Sequence, residues 1–219
     1  MDQTKHIATI MRILKSARNT FQTPSLTKIA EITRDPFKVL ISCILSLRTK
    51  DAVTAKASAR LYAIADDVNS MVNLDARTIQ KAIYPVGFYK TKAKTIKHIC
   101  ERLLKEYGGI VPDTIEELLT FSGVGRKTAN IVLVYGFNKK GLPIDIHCHR
   151  IPNRLGWITT KTPAETEILL RKSLPKRYWN DFNTLFVQFG QHICKPVSPF
   201  CSTCPISGYC QKKGVIKHR

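Results

Sequence analysis

Between Asp35 and His192 the apolar residues recur at helical spacing between capping residues, and no stretch alternates with the period of two that a half-buried strand requires. This patterning restricts the chain to an all-α fold. Asp35-Pro36 reads as an N-cap followed by proline at the first helical position. The apolar run 39–47 follows. By periodicity alone it also suits a buried strand, but the start signal and the Ala-rich continuation favour a helix buried on all sides. Asp51 is expected to cap a helix over 52–64, with Val53, Ala57, Arg60, Leu61 and Ile64 at helical spacing. Asp75 opens a short helix that stops before Pro85-Val86-Gly87. From Lys92 onward Ile96, Ile99, Cys100, Leu103, Leu104 and Tyr107 keep a period near 3.6, and Gly108-Gly109 ends that helix. Asp113 with Glu116 resembles a capping box for 115–121, and Thr162 with Glu165 forms another before 167–174. A last helix is predicted over 177–192, and a short amphipathic one over 7–14.

A length of 219 residues suits one compact globule or two small packed domains. No apolar run approaches the roughly 18 residues of a membrane span, and the N-terminus lacks the layout of a secretory signal. Thirty-five Lys and Arg against sixteen Asp and Glu leave a net charge of +19. Solubility alone asks for about 2–8 charges in a small domain. So large an excess, spread along the whole chain, points to a polyanion: nucleic acid first, a membrane surface second.

Seven cysteines, an odd number, argue against a closed disulfide framework. Cys43 and Cys100 read as ordinary buried thiols. Cys194, Cys201, Cys204 and Cys210 instead crowd together with the spacing C-x6-C-x2-C-x5-C, which marks a metal site in a reducing compartment. Structural zinc commonly uses two close pairs, and only Cys201–Cys204 is such a pair here; a [4Fe–4S] cube also takes four cysteines. Spacing alone leaves both metals open.

Gly123-Val124-Gly125 lies between two short predicted helices, with Arg126-Lys127 opening the second. The glycines allow positive φ and close approach of a ligand, and amides at a helix start suit a phosphate. A tight turn with no ligand is the plainer reading of the same glycines. Lys127 is oddly placed, because a cation in a first helical turn opposes the dipole. The dipole and Arg126 both favour its neutral, nucleophilic amine. Binding phosphate is the simpler role for such a lysine.

Phe121-Ser122-Gly123-Val124-Gly125-Arg126-Lys127-Thr128-Ala129 resembles the helix-hairpin-helix signature of the endonuclease III family of DNA glycosylases. Ile144-Asp145-Ile146-His147-Cys148-His149-Arg150 is similar to that family's Gly/Pro-rich loop and aspartate motif, and the cysteine spacing is similar to its [4Fe–4S] site. The resemblance runs from about Asp35 to Cys210. It implies that Lys127 attacks C1′ of the damaged nucleotide, that a Schiff base forms, and that β-elimination cuts the strand 3′ to the abasic site. Asp145 would stabilise the positive charge on the sugar and help deprotonate the lysine. As a residue type it also suits the N-cap of the next helix. His147 and His149 read as structural or phosphate-contacting residues.

The resemblance further implies DNA contacts from Gly123, Val124, Gly125, Arg126 and Lys195. Arg48 and Phe88 would fill the space left by the flipped nucleotide; other members often carry glutamine and leucine there, and a loop aromatic packed on the core is the alternative for Phe88. The tail 211–219 either adds charge near the cluster or is a solvated tail. The expected architecture is two helical lobes, 28–140 and 1–27 with 141–219, with Lys127 and Asp145 facing each other across a cleft and a [4Fe–4S] cluster in the second lobe. The expected protein is a monomeric glycosylase and abasic-site lyase acting on oxidised pyrimidines in duplex DNA, in a bacterial or archaeal cytoplasm. Its rivals are a mismatch glycosylase without lyase activity and a non-catalytic iron–sulfur DNA-binding protein.

Overall fold

A computed structural model describes residues 3–18 and 34–219, with side chains from His6 in the first helix. It is helical, with no strand among the described residues. The chain divides into two compact units. One joins the N-terminal helix to everything from Lys140 onward; the other ends at Lys139. The expected boundary at residue 28 lies outside the described residues.

α1 (Gln3–Ser16) belongs to the unit that continues from Lys140, and α2 (Pro36–Ser46) lies in the core of the unit that ends at Lys139. The Asp35 carboxylate accepts the Phe37 amide at 2.8 Å, and Pro36 opens the helix, as its sequence predicts. Every residue from Val39 to Leu45 is buried. A helix with no polar stripe must be surrounded by protein. The same core takes in α3 (Asp51–Ile64), α4 (Val68–Val72), α5 (Ala76–Ile83), α6 (Tyr89–Tyr107), α7 (Ile115–Leu118) and α8 (Arg126–Ile131), which runs on into a wider π turn over Val132–Gly136; of these helices α3, α6 and α8 pack on α2. That turn packs on α2. A Cβ at Gly136 would come 2.8 Å from Pro36 Cα, so only glycine allows this approach.

Two predicted caps move by one residue. Lys50 occupies the cap of α3, at φ −66° and ψ 142°, and Asp51 is the first helical residue, where its charge complements the dipole. The buried face of α3 is Thr54, Ala57, Ser58 and Leu61, whereas Arg60 and Ile64 are exposed. The cap of α7 is Thr114, whose hydroxyl accepts the Glu117 amide at 3.3 Å. Asp113 is engaged elsewhere, its carboxylate 2.7 Å from Lys139 Nζ. The helix also stops at Leu118, short of the expected 121.

The other unit packs α1, α9 (Ile146–Leu155), α10 (Pro163–Ser173) and α11 (Trp179–His192) on a separate apolar core. Ile7, Ile10, Met11 and Leu14 bury one face of α1, a spacing already visible in the sequence. On α11 Phe182, Phe186 and Phe189 are buried, and the first two rings stack at 4.1 Å. The predicted box at Thr162 forms in altered geometry: Thr162 Oγ1 accepts the Glu165 amide at 3.2 Å, while the Glu165 carboxylate accepts the amide of Lys161.

Candidate active site and nucleic-acid interface

α7 and α8 flank the glycine hairpin. Gly123 adopts φ +79°, a conformation that favours glycine, with Ile44 and Thr95 beneath it. Val124 points inward and is buried, pinning the turn. Gly125 caps α8 and is exposed, and a Cβ there would meet nothing within 4 Å. Thr128, Ala129, Asn130 and Ile131 turn into the core, which leaves Arg126 and Lys127 exposed. The Cys43 thiol is pushed up to about 12 by burial, and the charge of Lys127 acts on it in the opposite direction.

In the other unit Asp145 is the N-cap of α9. Its Oδ1 accepts the amides of His147 at 2.9 Å and Cys148 at 2.8 Å. Asp145 is 9% exposed, and its Oδ2 carries no hydrogen bond among the described residues. The two readings of this aspartate are therefore compatible: one oxygen caps, the other is available. His149 Nδ1 lies 2.7 Å from Thr166 Oγ1, and His147 Nδ1 lies 2.9 Å from Arg150 Nη2. Both histidines are held by structural partners.

Arg48 and Phe88 are brought together in the first-described unit. Both have positive φ, 52° and 58°, both are exposed, and the guanidinium carbon lies 5.8 Å from the ring centroid.

Cys194, Cys201, Cys204 and Cys210 line a single apolar cavity together with Phe189 and Ile206. Among the described residues no three His, Cys, Asp or Glu side chains converge to hold one metal ion. Burial pushes the Cys204 thiol up to about 11 and raises that of Cys210. Sulfurs in such a pocket need compensating positive charge and N–H donors before they carry charge themselves. Arg154 supplies both: its Nη1 donates to Cys194 Sγ at 3.3 Å and to Lys195 O at 2.6 Å, and its Nη2 donates to Pro196 O at 2.6 Å. The Lys212 amide donates to Cys210 Sγ at 3.3 Å. Lys195 Nζ sits 5.1 Å from the Phe200 ring. The tail returns to this loop: Ser202 N donates to Arg219 O at 2.9 Å, and Arg219 N donates to Pro199 O at 2.8 Å. It therefore lies against the cysteine loop.

Four contributors escaped the sequence reading. Arg150 and Arg154 lie on α9, the helix that Asp145 caps, and both grip the cysteine loop, Arg150 through Cys194 O at 2.8 Å. Only their one-turn spacing hinted at a shared face. Asn183 on α11 donates to Pro143 O at 3.0 Å, steadying the strand of chain before Asp145, and no sequence signal marks it. Lys92 is the fourth. It precedes Ile96 by four residues, and that spacing alone put a lysine on the buried stripe of α6.

A glycine hairpin that opens a helix, a lysine just inside it, a capping aspartate and a cysteine-lined cavity in an all-helical chain define a class. Residues 41–176 match the model of the HhH-GPD superfamily of base excision DNA repair proteins, and the chain belongs to that superfamily. Endonuclease III of Thermotoga maritima is 45% identical over 190 residues, covering 84% of this chain and 89% of that protein. Among solved structures, a non-covalent endonuclease III–DNA complex aligns with TM-score 0.85 and 29% identity over 97% of each chain. A trapped endonuclease III–DNA covalent intermediate aligns with TM-score 0.77 and 31% identity, over 85% of this chain and 92% of that one. Among the described residues no helix is long and apolar enough to cross a membrane.

Proposed function

We propose that this chain is a bifunctional DNA glycosylase and abasic-site lyase in which Lys127 is the nucleophile and Asp145 the essential carboxylate. The observation that carries this reading is the placement of Lys127, exposed in the first turn after the open hairpin, in a chain similar to an endonuclease III trapped as a covalent DNA intermediate. The neutral amine attacks C1′ as the base departs with the electrons of the glycosidic bond. Loss of the amine proton and opening of the sugar give a Schiff base. A proton then leaves C2′, the C3′–O3′ bond breaks, and water releases the enzyme. Asp145 Oδ2 stabilises the positive charge that develops on the sugar and receives the amine proton. The Gly123–Gly125 amides and Arg126 hold the phosphate backbone, whose recognition is independent of sequence. Arg48 and Phe88 occupy the gap left by the flipped nucleotide.

The four cysteines fit a [4Fe–4S] cluster: they share one apolar cavity, with N–H donors aimed at two of the sulfurs. Bound there, it would supply no step of the reaction, only a fixed cysteine loop carrying Lys195. The substrate class is oxidised pyrimidines such as thymine glycol. The protein acts as a monomer on duplex DNA, in a bacterial or archaeal cytoplasm.

The test is borohydride trapping on a duplex with one thymine glycol. A covalent adduct is expected with the wild type and none with Lys127→Gln. Base loss from either protein with no adduct and no strand cut would instead establish a glycosylase without lyase activity.

A further inference from the structure

Lys92 stands in the first turn of α6, on the stripe that Ile96, Ile99, Cys100 and Leu103 bury, and is itself 7% exposed. Its Nζ donates to Leu45 O at 2.8 Å, to Leu47 O at 2.5 Å and to Thr49 Oγ1 at 3.1 Å. An ammonium has three donors, and all three are used. All three acceptors belong to the end of α2 and the turn that follows it. No carboxylate among the described residues pairs with this cation, and burial lowers it to about 8. A buried charge held only by neutral oxygens costs stability relative to an apolar residue of the same length. Its presence therefore asks for a reason other than packing.

The reason lies in what the network joins. Thr49 Oγ1 also accepts the amide of Gly87 at 3.2 Å. Gly87 presses against the Arg48 carbonyl so closely that a Cβ would come within 2.7 Å of that oxygen. One ammonium and one hydroxyl thus fasten two turns distant in sequence. The exposed tips of those turns are Arg48 and Phe88, each held at positive φ and each in cation–π contact with the other. Left-handed backbone is uncommon for either residue type, and the surrounding bonds are what hold it.

We infer that Lys92 is a positioning residue that locks Arg48 and Phe88 into one two-pronged wedge and so sets how well the enzyme opens a paired lesion. The inference rests on the reading that these two side chains fill the gap beside a flipped nucleotide. Lys92 makes no contact with the reacting atoms in this scheme; it acts by fixing the spacing of the prongs. A displacement of about 1 Å in such groups can cost on the order of a hundredfold in rate.

Lys92→Met keeps the length and removes every donor, and Thr49→Val removes the bridging oxygen with little change in volume. Three readouts separate positioning from general support: single-turnover removal of thymine glycol opposite adenine, cutting of a preformed abasic site, and the fluorescence rise of 2-aminopurine placed opposite the lesion. Both variants are expected to slow base removal about tenfold or more while abasic-site cutting falls less than about threefold. The fluorescence rise should shrink in both, and the double variant should be no worse than the poorer single one. Should folded Lys92→Met match the wild type, or lose both reactions equally, while Phe88→Ala slows base removal selectively, the inference is overturned and the wedge stands. If Phe88→Ala and Arg48→Ala both leave base removal unchanged, the wedge reading itself falls and takes the inference with it. If Lys92→Met does not fold, Thr49→Val decides by the same criteria.

Discussion

Asp145 Oδ1 accepts the backbone amide of Cys148 at 2.8 Å, so the proposed catalytic carboxylate is also the cap of the helix that follows it. The cap fixes the carboxyl plane and leaves Oδ2 to meet a substrate. This double use can be separated experimentally. Asparagine caps about as well as aspartate, whereas alanine costs about 1 kcal/mol of stability. Asp145→Asn should therefore fold nearly as well as the wild type, and Asp145→Ala should lose about that much in denaturant melts. Base removal should fall on the order of 10²–10³-fold in both. Full activity in Asp145→Asn would reduce this residue to a cap.

The cysteine loop gives a second prediction. Cys210→Ser should yield colourless protein with little iron by chemical assay, and lower thermal stability. α9 runs directly from Asp145 to Arg154, whose guanidinium holds the loop. Loss of the cluster should accordingly weaken base removal even though no reacting group has changed. Brown, iron-replete Cys210→Ser would exclude this cysteine as a ligand.

Binding should follow the charge. Each phosphate contact contributes a slope of about −0.9 to the log–log dependence of affinity on salt for duplex DNA. Arg126→Gln, at the open hairpin, should make that slope shallower by about one unit on undamaged duplex. An unchanged slope in fluorescence-anisotropy titrations would remove Arg126 from the phosphate contacts.

Lys92 carries a stability prediction with a definite sign. Burial lowers it from the ordinary lysine value of 10.5 to about 8. Between those two values the unfolded chain holds a proton that the folded chain has released, so this group makes stability rise with pH. The rise is absent below about 8, complete above 10.5, and on the order of 3 kcal/mol at most. Lys92→Met removes it. Urea midpoints at about pH 7.5 and 10 should show the variant gaining relative to the wild type at the lower pH and losing that advantage at the higher. Other buried groups, such as the Cys43 thiol, cancel in the difference.

Much of this was legible in the sequence, for physical reasons that differ between elements. α2 announced itself because Asp35-Pro36 is a local signal that no tertiary contact overrode. The hairpin was legible because Gly123 needs a backbone conformation that few other residues adopt. The cap of α7 was misplaced because Asp113 is taken by Lys139, twenty-six residues away in the chain, and no local rule sees such a partner. Arg154 was missed for the same reason: its three partners in the cysteine loop lie more than forty residues downstream or at that distance. Lys92 was within reach, since a lysine at the buried phase of an amphipathic helix breaks the pattern, but what it breaks the pattern for depends on two turns meeting in space.

Arg48 and Phe88 both stand at left-handed backbone angles. Such conformations cost on the order of 1–3 kcal/mol each, and the bonds of Lys92 and Thr49 hold the two turns that bear them. In the proposed wedge role, a probe held in this way would need little rearrangement at each encounter. Its residence on an intact base pair is then governed by how firmly that pair stays stacked, and not by how quickly the protein can reshape itself. Scanning a genome that is almost entirely undamaged favours a stiff probe: sound pairs shed it quickly, and a weakened one gives way to it.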